Sequence, residues 1–216
     1  MNNAPHQRGG ETKALGLLGG TFDPVHFGHL RAAIECADAF QLSEVRLMPC
    51  NPVHRQQPVA TNEQREAMLS MAVQEPSRLA LERFELGQLN PTYTIDTLRH
   101  VRSLIGRDRP LYFIVGSDAF NAIETWKEWQ ALFDEANFIV MHRPASPLLI
   151  QHEDIRSRVA SFDGNHFANG NVYPFAISGL DISSTKIRDL VHSGFSIEFL
   201  LPNAVEAYIK QQRLYR

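Results

Sequence analysis

Apolar runs and helical repeats alternate along almost the entire chain, and this alternation limits the fold more than any single motif. The apolar runs predict strands near residues 13–19, 44–49, 79–84, 111–116, 137–141 and 172–177, and the helical repeats predict helices near 28–40, 62–75, 94–105, 125–135, 153–161, 184–193 and 203–211. This order predicts an α/β fold with a parallel sheet and helices on both faces. Ligands of such sheets bind beyond the carboxyl ends of the strands, where Gly19, Pro49 and Gly116 lie.

The composition fits one compact domain. The chain has 216 residues, of which 44% are hydrophobic, so we expect residues 13–216 to form a single domain preceded by a disordered polar tail at 1–12. No long apolar run indicates a membrane span, and a net charge of −3 disfavours binding to a nucleic acid polymer. Cys36 and Cys50 lack metal-like spacing, which favours a reducing, cytoplasmic setting. The sequence does not indicate an oligomeric state.

The segment LLGGTFDPVHFGH, residues 17–29, predicts a phosphate-binding site. Gly19 and Gly20 end the first strand, where a phosphate oxygen can approach backbone N–H groups. His26 and His29 are three residues apart at the start of a helix, so both imidazoles can face one anion. We attribute Gly28 to close approach of a ligand or a neighbouring strand. The segment lacks the lysine of a P-loop and the third glycine of a dinucleotide fingerprint.

A second segment, ISSTKIR at residues 182–188, has the features of another anion cradle. Asp181 or Ser183 can cap a new helix, and the hydroxyls and free N–H groups of its first turn face outward. Lys186 and Arg188 add positive charge. Taken alone, this segment is better explained as an ordinary capped helix with solvated basic residues; paired with the first segment, it favours an anion cradle.

These two segments resemble a known superfamily. GGTFDPVHFGH is similar to the signature of the H-x-G-H nucleotidyltransferases, which transfer the nucleotidyl group of ATP or CTP, and ISSTKIR resembles the I-S-S-T-x-I-R motif of their adenylyltransferase branch. The resemblance implies a Rossmann-like nucleotidyltransferase fold. A cytidylyltransferase is disfavoured because that family usually carries an R-T-x-G-x-S-T motif at the second position.

A proline-rich loop after the second strand resembles the P-P-H-K loop of the superfamily. In this chain it reads PCNPVHR, residues 49–55, and it directs His54 and Arg55 toward the phosphate-binding edge. Arg55 replaces a lysine, which keeps the charge but changes the geometry of a phosphate contact. An exposed turn without a role in binding is the alternative.

Two further segments are similar to bacterial nicotinate-nucleotide adenylyltransferases. The first is PTYTIDTL, residues 91–98, in which Thr94 is expected to cap the helix while Tyr93 packs beside the substrate. In the second, the resemblance implies that Asp118 serves ATP, that Trp126 stacks on the pyridine ring, and that the backbone N–H of Lys127 meets the nicotinate carboxylate. Trp126 and Trp129 would share one face of a helix, so we assign Trp129 to the core.

The resemblance covers about residues 14 to 210. It implies adenylyl transfer from ATP to nicotinate mononucleotide, giving nicotinate adenine dinucleotide and pyrophosphate for NAD biosynthesis, by direct in-line attack and with Mg²⁺ held mainly by nucleotide phosphates and water. The implied roles are catalytic for His26, His29 and Arg188; ATP and phosphate binding for Gly19, Gly20, Thr21, Phe22, Asp118, Ser183, Ser184 and Thr185; and mononucleotide binding for His54, Arg55, Tyr93, Thr94, Trp126 and Lys127. A pantetheine-phosphate adenylyltransferase and a non-catalytic nucleotide-binding regulator are the alternatives.

Overall fold

The computed structural model describes residues 13–51, 58–74, 77–142, 148–166 and 169–216. They form a six-stranded sheet whose strands are β1 (Leu15–Gly20), β2 (Glu44–Pro49), β3 (Leu79–Leu81), β4 (Leu111–Gly116), β5 (Asn137–His142) and β6 (Val172–Ala176), in the order β3-β2-β1-β4-β5-β6. Every strand pair is parallel. The predicted parallel α/β fold is confirmed, whereas the proposed tail at residues 1–12 lies outside the described residues.

Helices cover both faces of the sheet. They are α1 (Phe27–Ala39), α2 (Asn62–Ala72), α3 (Thr94–Ile105), α4 (Ser117–Phe120), α5 (Leu132–Glu135), α6 (Glu153–Arg156), α7 (Ser184–His192) and α8 (Asn203–Gln212). One buried cluster joins α1, α2, α7 and α8 to the sheet, and the other joins α3, α4, α5 and α6 to the opposite face. Side chains along β1 point alternately to the two faces of the sheet, so Leu15 and Leu17 belong to one cluster and Leu18 to the other.

Two predicted helices are wrong in extent. The helix expected at 153–161 ends at Arg156. The helix expected at 125–135 is replaced by two short 3₁₀ turns and α5, because Trp126 is extended and Glu128 adopts a left-handed backbone with a φ of 50°. The side chain of Glu128 is paired with Arg99 on α3, a contact that a local sequence pattern cannot report.

The strand order reverses direction beside β1. The chain leaves β1 to build β2 and β3 on one side, and then returns to place β4 on the other side. In a doubly wound sheet this reversal opens a crevice at the carboxyl ends of the two central strands. The segment 17–29 leaves β1 directly into that crevice.

Candidate active site

The imidazoles of His26 and His29 lie against each other at the carboxyl end of β1. His26 is the N-cap of α1, with an extended backbone, and His29 lies within its first turn. The His29 N–H donates to the His26 carbonyl oxygen at 3.0 Å. The two rings stack with centroids 3.7 Å apart and planes 22° from parallel. The predicted pairing of the histidines is thus confirmed, and both rings stand at the positive end of a 13-residue helix.

Close packing within the segment explains two of its glycines. A Cβ atom at Gly20 would lie 2.9 Å from the Phe22 ring, and one at Gly28 would lie 3.0 Å from two atoms of the His26 ring. The neighbour that approaches Gly28 is therefore an imidazole, together with the carbonyl oxygen of Ile182, and not a strand. Phe22 is buried in a left-handed conformation, with φ 49°, and its ring meets His29 edge-on at 4.9 Å. These contacts fix where the imidazoles stand.

The second predicted cradle lies directly against the first. The Ser184 hydroxyl donates to the Pro24 carbonyl oxygen at 2.9 Å, and Nη1 of Arg188 donates to the Asp23 carbonyl oxygen at 2.7 Å. Nη2 of Arg188 donates to the Thr185 hydroxyl at 3.3 Å. Two segments about 160 residues apart in the chain therefore form one site, with the N-terminus of α7 facing the start of α1.

The serines of this cradle have structural partners. Ser183 is the N-cap of α7, and its hydroxyl accepts from the Lys186 N–H at 3.2 Å, so of the two proposed caps Ser183 is confirmed and Asp181 is not. The hydroxyls of Ser183 and Ser184 thus hold the helix in place, and what the first turn offers to an anion is its backbone N–H groups.

Asp23 is a buried carboxylate that the sequence prediction missed. Its oxygens accept from the backbone N–H groups of Val59 and Ala60 at 2.7 and 3.1 Å and from the Tyr215 hydroxyl at 2.7 Å. Only 2% of the residue is exposed, and charge-assisted donors of this kind offset the cost of burying a carboxylate. No local pattern in the sequence marks this side chain for burial.

Arg65 is a second residue that sequence reasoning missed. It projects from α2, is fully buried, and donates through Nη1 to the carbonyl oxygens of Thr21 and Cys50, each at 2.9 Å. Burial lowers the pKa of this guanidinium from its usual value. Arg65 therefore links the segments that follow β1 and β2, and this holds the ends of these two neighbouring strands together beneath the site.

Glu85 is a third buried residue that links separate segments near the site through hydrogen bonds. Its carboxylate accepts from the Asn51 N–H at 3.0 Å and from the Thr97 hydroxyl on α3 at 2.7 Å. Burial raises the pKa of this carboxyl above its usual range. Glu85 therefore joins the segment after β2 to the helix that carries the predicted mononucleotide residues.

The predicted mononucleotide residues of α3 and the 126–128 segment lie together. Lys127 Nζ stands 4.7 Å from the centroid of the Tyr93 ring and 3.4 Å from each carboxylate oxygen of Asp96. The expected capping by Thr94 is wrong: Tyr93 is the N-cap of α3, its side chain makes no capping hydrogen bond, and Thr94 is the first residue of the helix. The N–H groups of Asp96 and Thr97 donate to the Tyr93 carbonyl oxygen at 3.0 and 3.2 Å.

Trp126 and Trp129 do not share a helix face, contrary to the sequence prediction. The half-buried Trp126 ring stands perpendicular to Phe113 of β4 at 6.2 Å, whereas Trp129 packs near Phe133 at 6.3 Å. Phe113 also lies 3.2 Å from the position of a Cβ at Gly19. Phe113 therefore lies between the end of β1, where phosphate binding is predicted, and the Trp126 segment.

The other predicted residues fall around the same edge. Asp118 is exposed on α4, immediately beyond the end of β4. His54 and Arg55 lie outside the described residues, so their assignment stays a prediction. Among the residues that the structure covers, no group of three or more His, Cys, Asp or Glu side chains is placed to hold a metal ion, and no helix is long and apolar enough to cross a membrane.

Known proteins share this fold and are similar to this chain in sequence. Residues 17–190 match the cytidylyltransferase-like family, so the chain is a member of that nucleotidyltransferase class. A Plasmodium falciparum nicotinic acid mononucleotide adenylyltransferase, solved in complex with NaAD, superposes with a TM-score of 0.73 at 21% identity, covering 94% of this chain and 97% of that one. At that identity the similarity establishes the fold.

Curated relatives narrow the class. The "Probable nicotinate-nucleotide adenylyltransferase" of Marinomonas sp. is 37% identical over 96% of this chain and 97% of its own length. The protein of the same name from Pseudomonas aeruginosa is 40% identical over 94% and 98% of the two chains. Within the cytidylyltransferase-like family, the chain belongs to the nicotinate-nucleotide adenylyltransferases. It is therefore an adenylyl-transferring enzyme, and the pantetheine-phosphate and regulator alternatives are not supported.

Proposed function

We propose that the two cradles hold ATP and that the segment around Trp126 holds nicotinate mononucleotide. In this arrangement the triphosphate lies over the strand end at Gly19 and Gly20 and against the imidazoles of His26 and His29. The observation that carries the proposal is the direct hydrogen bonding of the α7 cradle to the loop that precedes α1, because it gives one continuous anion-binding surface.

The reaction is an in-line displacement. A phosphate oxygen of the mononucleotide forms a bond to the α-phosphorus of ATP, the bond from that phosphorus to the bridging oxygen breaks, and the electron pair leaves with pyrophosphate. The attacking oxygen is already ionised at neutral pH, so no general base is needed. Catalysis then consists of positioning and of stabilising charge on the phosphoryl oxygens.

Each cradle is assigned one end of this displacement. His26 and His29 donate imidazole N–H groups to the phosphates, with the backbone of Gly20, Thr21 and Phe22 close to the reacting phosphorus. At the departing pyrophosphate, Arg188 supplies positive charge and the first turn of α7 supplies N–H groups. Asp118 is assigned to the nucleoside side of ATP.

The mononucleotide is assigned to the adjoining surface. The Trp126 ring offers a flat face for the pyridine ring, and the Lys127 backbone together with the start of α3 offers N–H groups to the nicotinate carboxylate. Tyr93 and Thr94 stand at that helix end. His54 and Arg55 are assigned to the mononucleotide phosphate on the sequence resemblance alone.

Mg²⁺ is proposed to reach the protein through nucleotide phosphates and water. The donor set around the cradles suits an ion carried on the substrate, because cationic and N–H groups face the phosphates while the buried Asp23 carboxylate is committed to hydrogen bonds. When bound, the ion neutralises charge on the phosphoryl oxygens. We also propose a cytoplasmic location, because a chain whose two cysteines, Cys36 and Cys50, lack metal-like spacing is typical of a reducing compartment.

A pyrophosphate-release assay tests the proposal. We expect release with ATP and nicotinate mononucleotide, much less with nicotinamide mononucleotide or phosphopantetheine, and none when EDTA replaces Mg²⁺. His29→Ala should lower kcat by about a hundredfold or more without unfolding the protein, because it removes a donor to the transferring phosphates. A His29→Ala enzyme with normal turnover would remove that residue from the mechanism, and equal turnover of the three acceptors would overturn the substrate assignment.

A further inference from the structure

The Asp23 carboxylate connects three parts of the site that are far apart in sequence. Oδ2 accepts from the Val59 N–H at 2.7 Å, and Oδ1 accepts from the Ala60 N–H at 3.1 Å and from the Tyr215 hydroxyl at 2.7 Å. The carbonyl oxygen of the same residue accepts from Arg188 at 2.7 Å. One residue of the first cradle thus holds the chain before α2, the α7 cradle and the segment after α8.

Tyr215 reaches this carboxylate by an unusual backbone conformation. Its φ is 64°, in the left-handed region that residues other than glycine rarely adopt, and its side chain is buried. It lies 192 positions from Asp23 along the chain. Burial and the neighbouring Asp23 carboxylate raise the pKa of the phenol, so the hydroxyl is a donor at neutral pH. A strained conformation that delivers one hydroxyl to a buried site points to a role there.

The geometry around Arg188 shows what this hydroxyl can do. Nη1 of Arg188 lies 3.9 Å from Oδ2 of Asp23, too far for a hydrogen bond, although the same nitrogen is bonded to the Asp23 carbonyl oxygen. The three donors from Val59, Ala60 and Tyr215 hold the carboxylate in its present orientation. Without the Tyr215 donor, Oδ1 keeps only the Ala60 N–H, so the carboxylate is held less firmly and can shift toward the guanidinium to form a closer ion pair. Arg188 would then neutralise Asp23 instead of the departing pyrophosphate.

We propose that Tyr215 is a positioning residue for adenylyl transfer, whose hydroxyl orients the Asp23 carboxylate so that the Arg188 guanidinium stays directed at the leaving pyrophosphate. This inference rests on the proposed role of Arg188 at that end of the displacement. It assigns a function to the segment after α8, to which neither cradle motif extends.

Tyr215→Phe tests the inference, with Tyr208→Phe as the matched control. Both substitutions remove one phenolic hydroxyl from the C-terminal part of the fold and keep a ring that packs against the same core cluster. We expect Tyr215→Phe to lower kcat about tenfold, with the KM for each substrate changed less than about twofold, because the lost interaction acts on the leaving group. Inhibition by added inorganic pyrophosphate should weaken in the same variant. Tyr208→Phe should behave as the unsubstituted enzyme in both assays.

Thermal unfolding of both variants accompanies the kinetics. An unchanged kcat together with unchanged pyrophosphate inhibition in Tyr215→Phe overturns the inference. A loss of activity that disappears on cooling, in step with recovery of the folded fraction, also overturns it, since it would assign the hydroxyl a role in stability alone.

Arg188→Ala separates failure of this inference from failure of the proposed role of Arg188, because it removes the positive charge. If Arg188→Ala leaves kcat unchanged, Arg188 has no role at the pyrophosphate, and both its proposed role and the positioning role of Tyr215 fail. If Arg188→Ala lowers kcat while Tyr215→Phe does not, only the positioning role fails. The double variant should be no slower than Arg188→Ala alone, because Tyr215 acts through Arg188; losses that multiply would contradict that route.

Discussion

Replacing Gly28 by alanine is expected to separate activity from stability at the active site. The added methyl carbon would lie 3.0 Å from both Cε1 and Nδ1 of His26 and 3.4 Å from the carbonyl oxygen of Ile182. Because nonbonded carbon contacts are comfortable at roughly 3.5–4.0 Å, the imidazole must retreat by about 0.5 Å or more. It cannot do so alone, since it is stacked on His29 at a centroid distance of 3.7 Å.

The magnitude follows from the sensitivity of catalysis to position. A misplacement of about 1 Å costs on the order of a hundredfold in rate, so a shift of about half that distance predicts a fall in kcat of about tenfold. The effect on folding is small because two terms oppose each other. Alanine gains roughly 0.5–1 kcal/mol over glycine within a helix, and the tight contact costs about 1–3 kcal/mol, so we expect a net loss of at most about 2.5 kcal/mol.

The assay is kcat for pyrophosphate release with both substrates saturating, alongside chemical unfolding of the same preparation. Gly87→Ala is the control, because a Cβ at Gly87 meets no atom within 4 Å. It should leave kcat unchanged. The reasoning is refuted if Gly28→Ala keeps full turnover, or if its unfolding free energy collapses and accounts for the lost activity.

Two other predictions concern the neighbouring residues. Trp126→Ala should raise the KM for nicotinate mononucleotide about tenfold and leave the KM for ATP unchanged, because stacking on one ring contributes roughly 1–3 kcal/mol. Trp129→Ala is the control. An unchanged KM for the mononucleotide in Trp126→Ala would mean that Trp126 serves only the hydrophobic core. For Glu85, the pKa of the folded state is raised by burial, so its contribution to stability is complete below the pKa of the unfolded chain and is lost as pH rises through the folded value. The unfolding free energy of the unsubstituted protein minus that of Glu85→Gln should therefore decrease from about pH 4 upward, and a difference that does not vary with pH would contradict this.

The secondary structure could be predicted largely from sequence because its signals are local. The six strands and the main helices were found from apolar runs and helical repeats, and α2 begins at a local capping box formed by Thr61 and Gln64. The helix prediction for residues 125–135 was wrong because the interruption of the helix at 126–128 depends on contacts with other elements, among them the ion pair between Glu128 and Arg99. A helical repeat in sequence carries no information about such a partner.

The cradle motifs were also visible in sequence, since their residue types and spacing are themselves the chemistry of anion binding. The supporting residues were not. Asp23, Arg65, Glu85 and Tyr215 are charged or polar side chains whose ordinary place is the surface, and nothing local indicates that they are buried. Their burial is possible because each finds hydrogen-bond partners on other segments, such as the carbonyl oxygens of Thr21 and Cys50 for Arg65.

The sequence by itself therefore determined the parallel α/β class, the histidine pair and the position of the two segments predicted to bind anions, because each depends on residues near one another in the chain. Only the tertiary structure decided how the cradles are held. The hydrogen bonds from Ser184 to Pro24, from Arg188 to Asp23 and from Tyr215 to Asp23 each join residues more than 150 positions apart. Such contacts form only when the sheet brings the ends of its strands to one edge, so no local pattern records them.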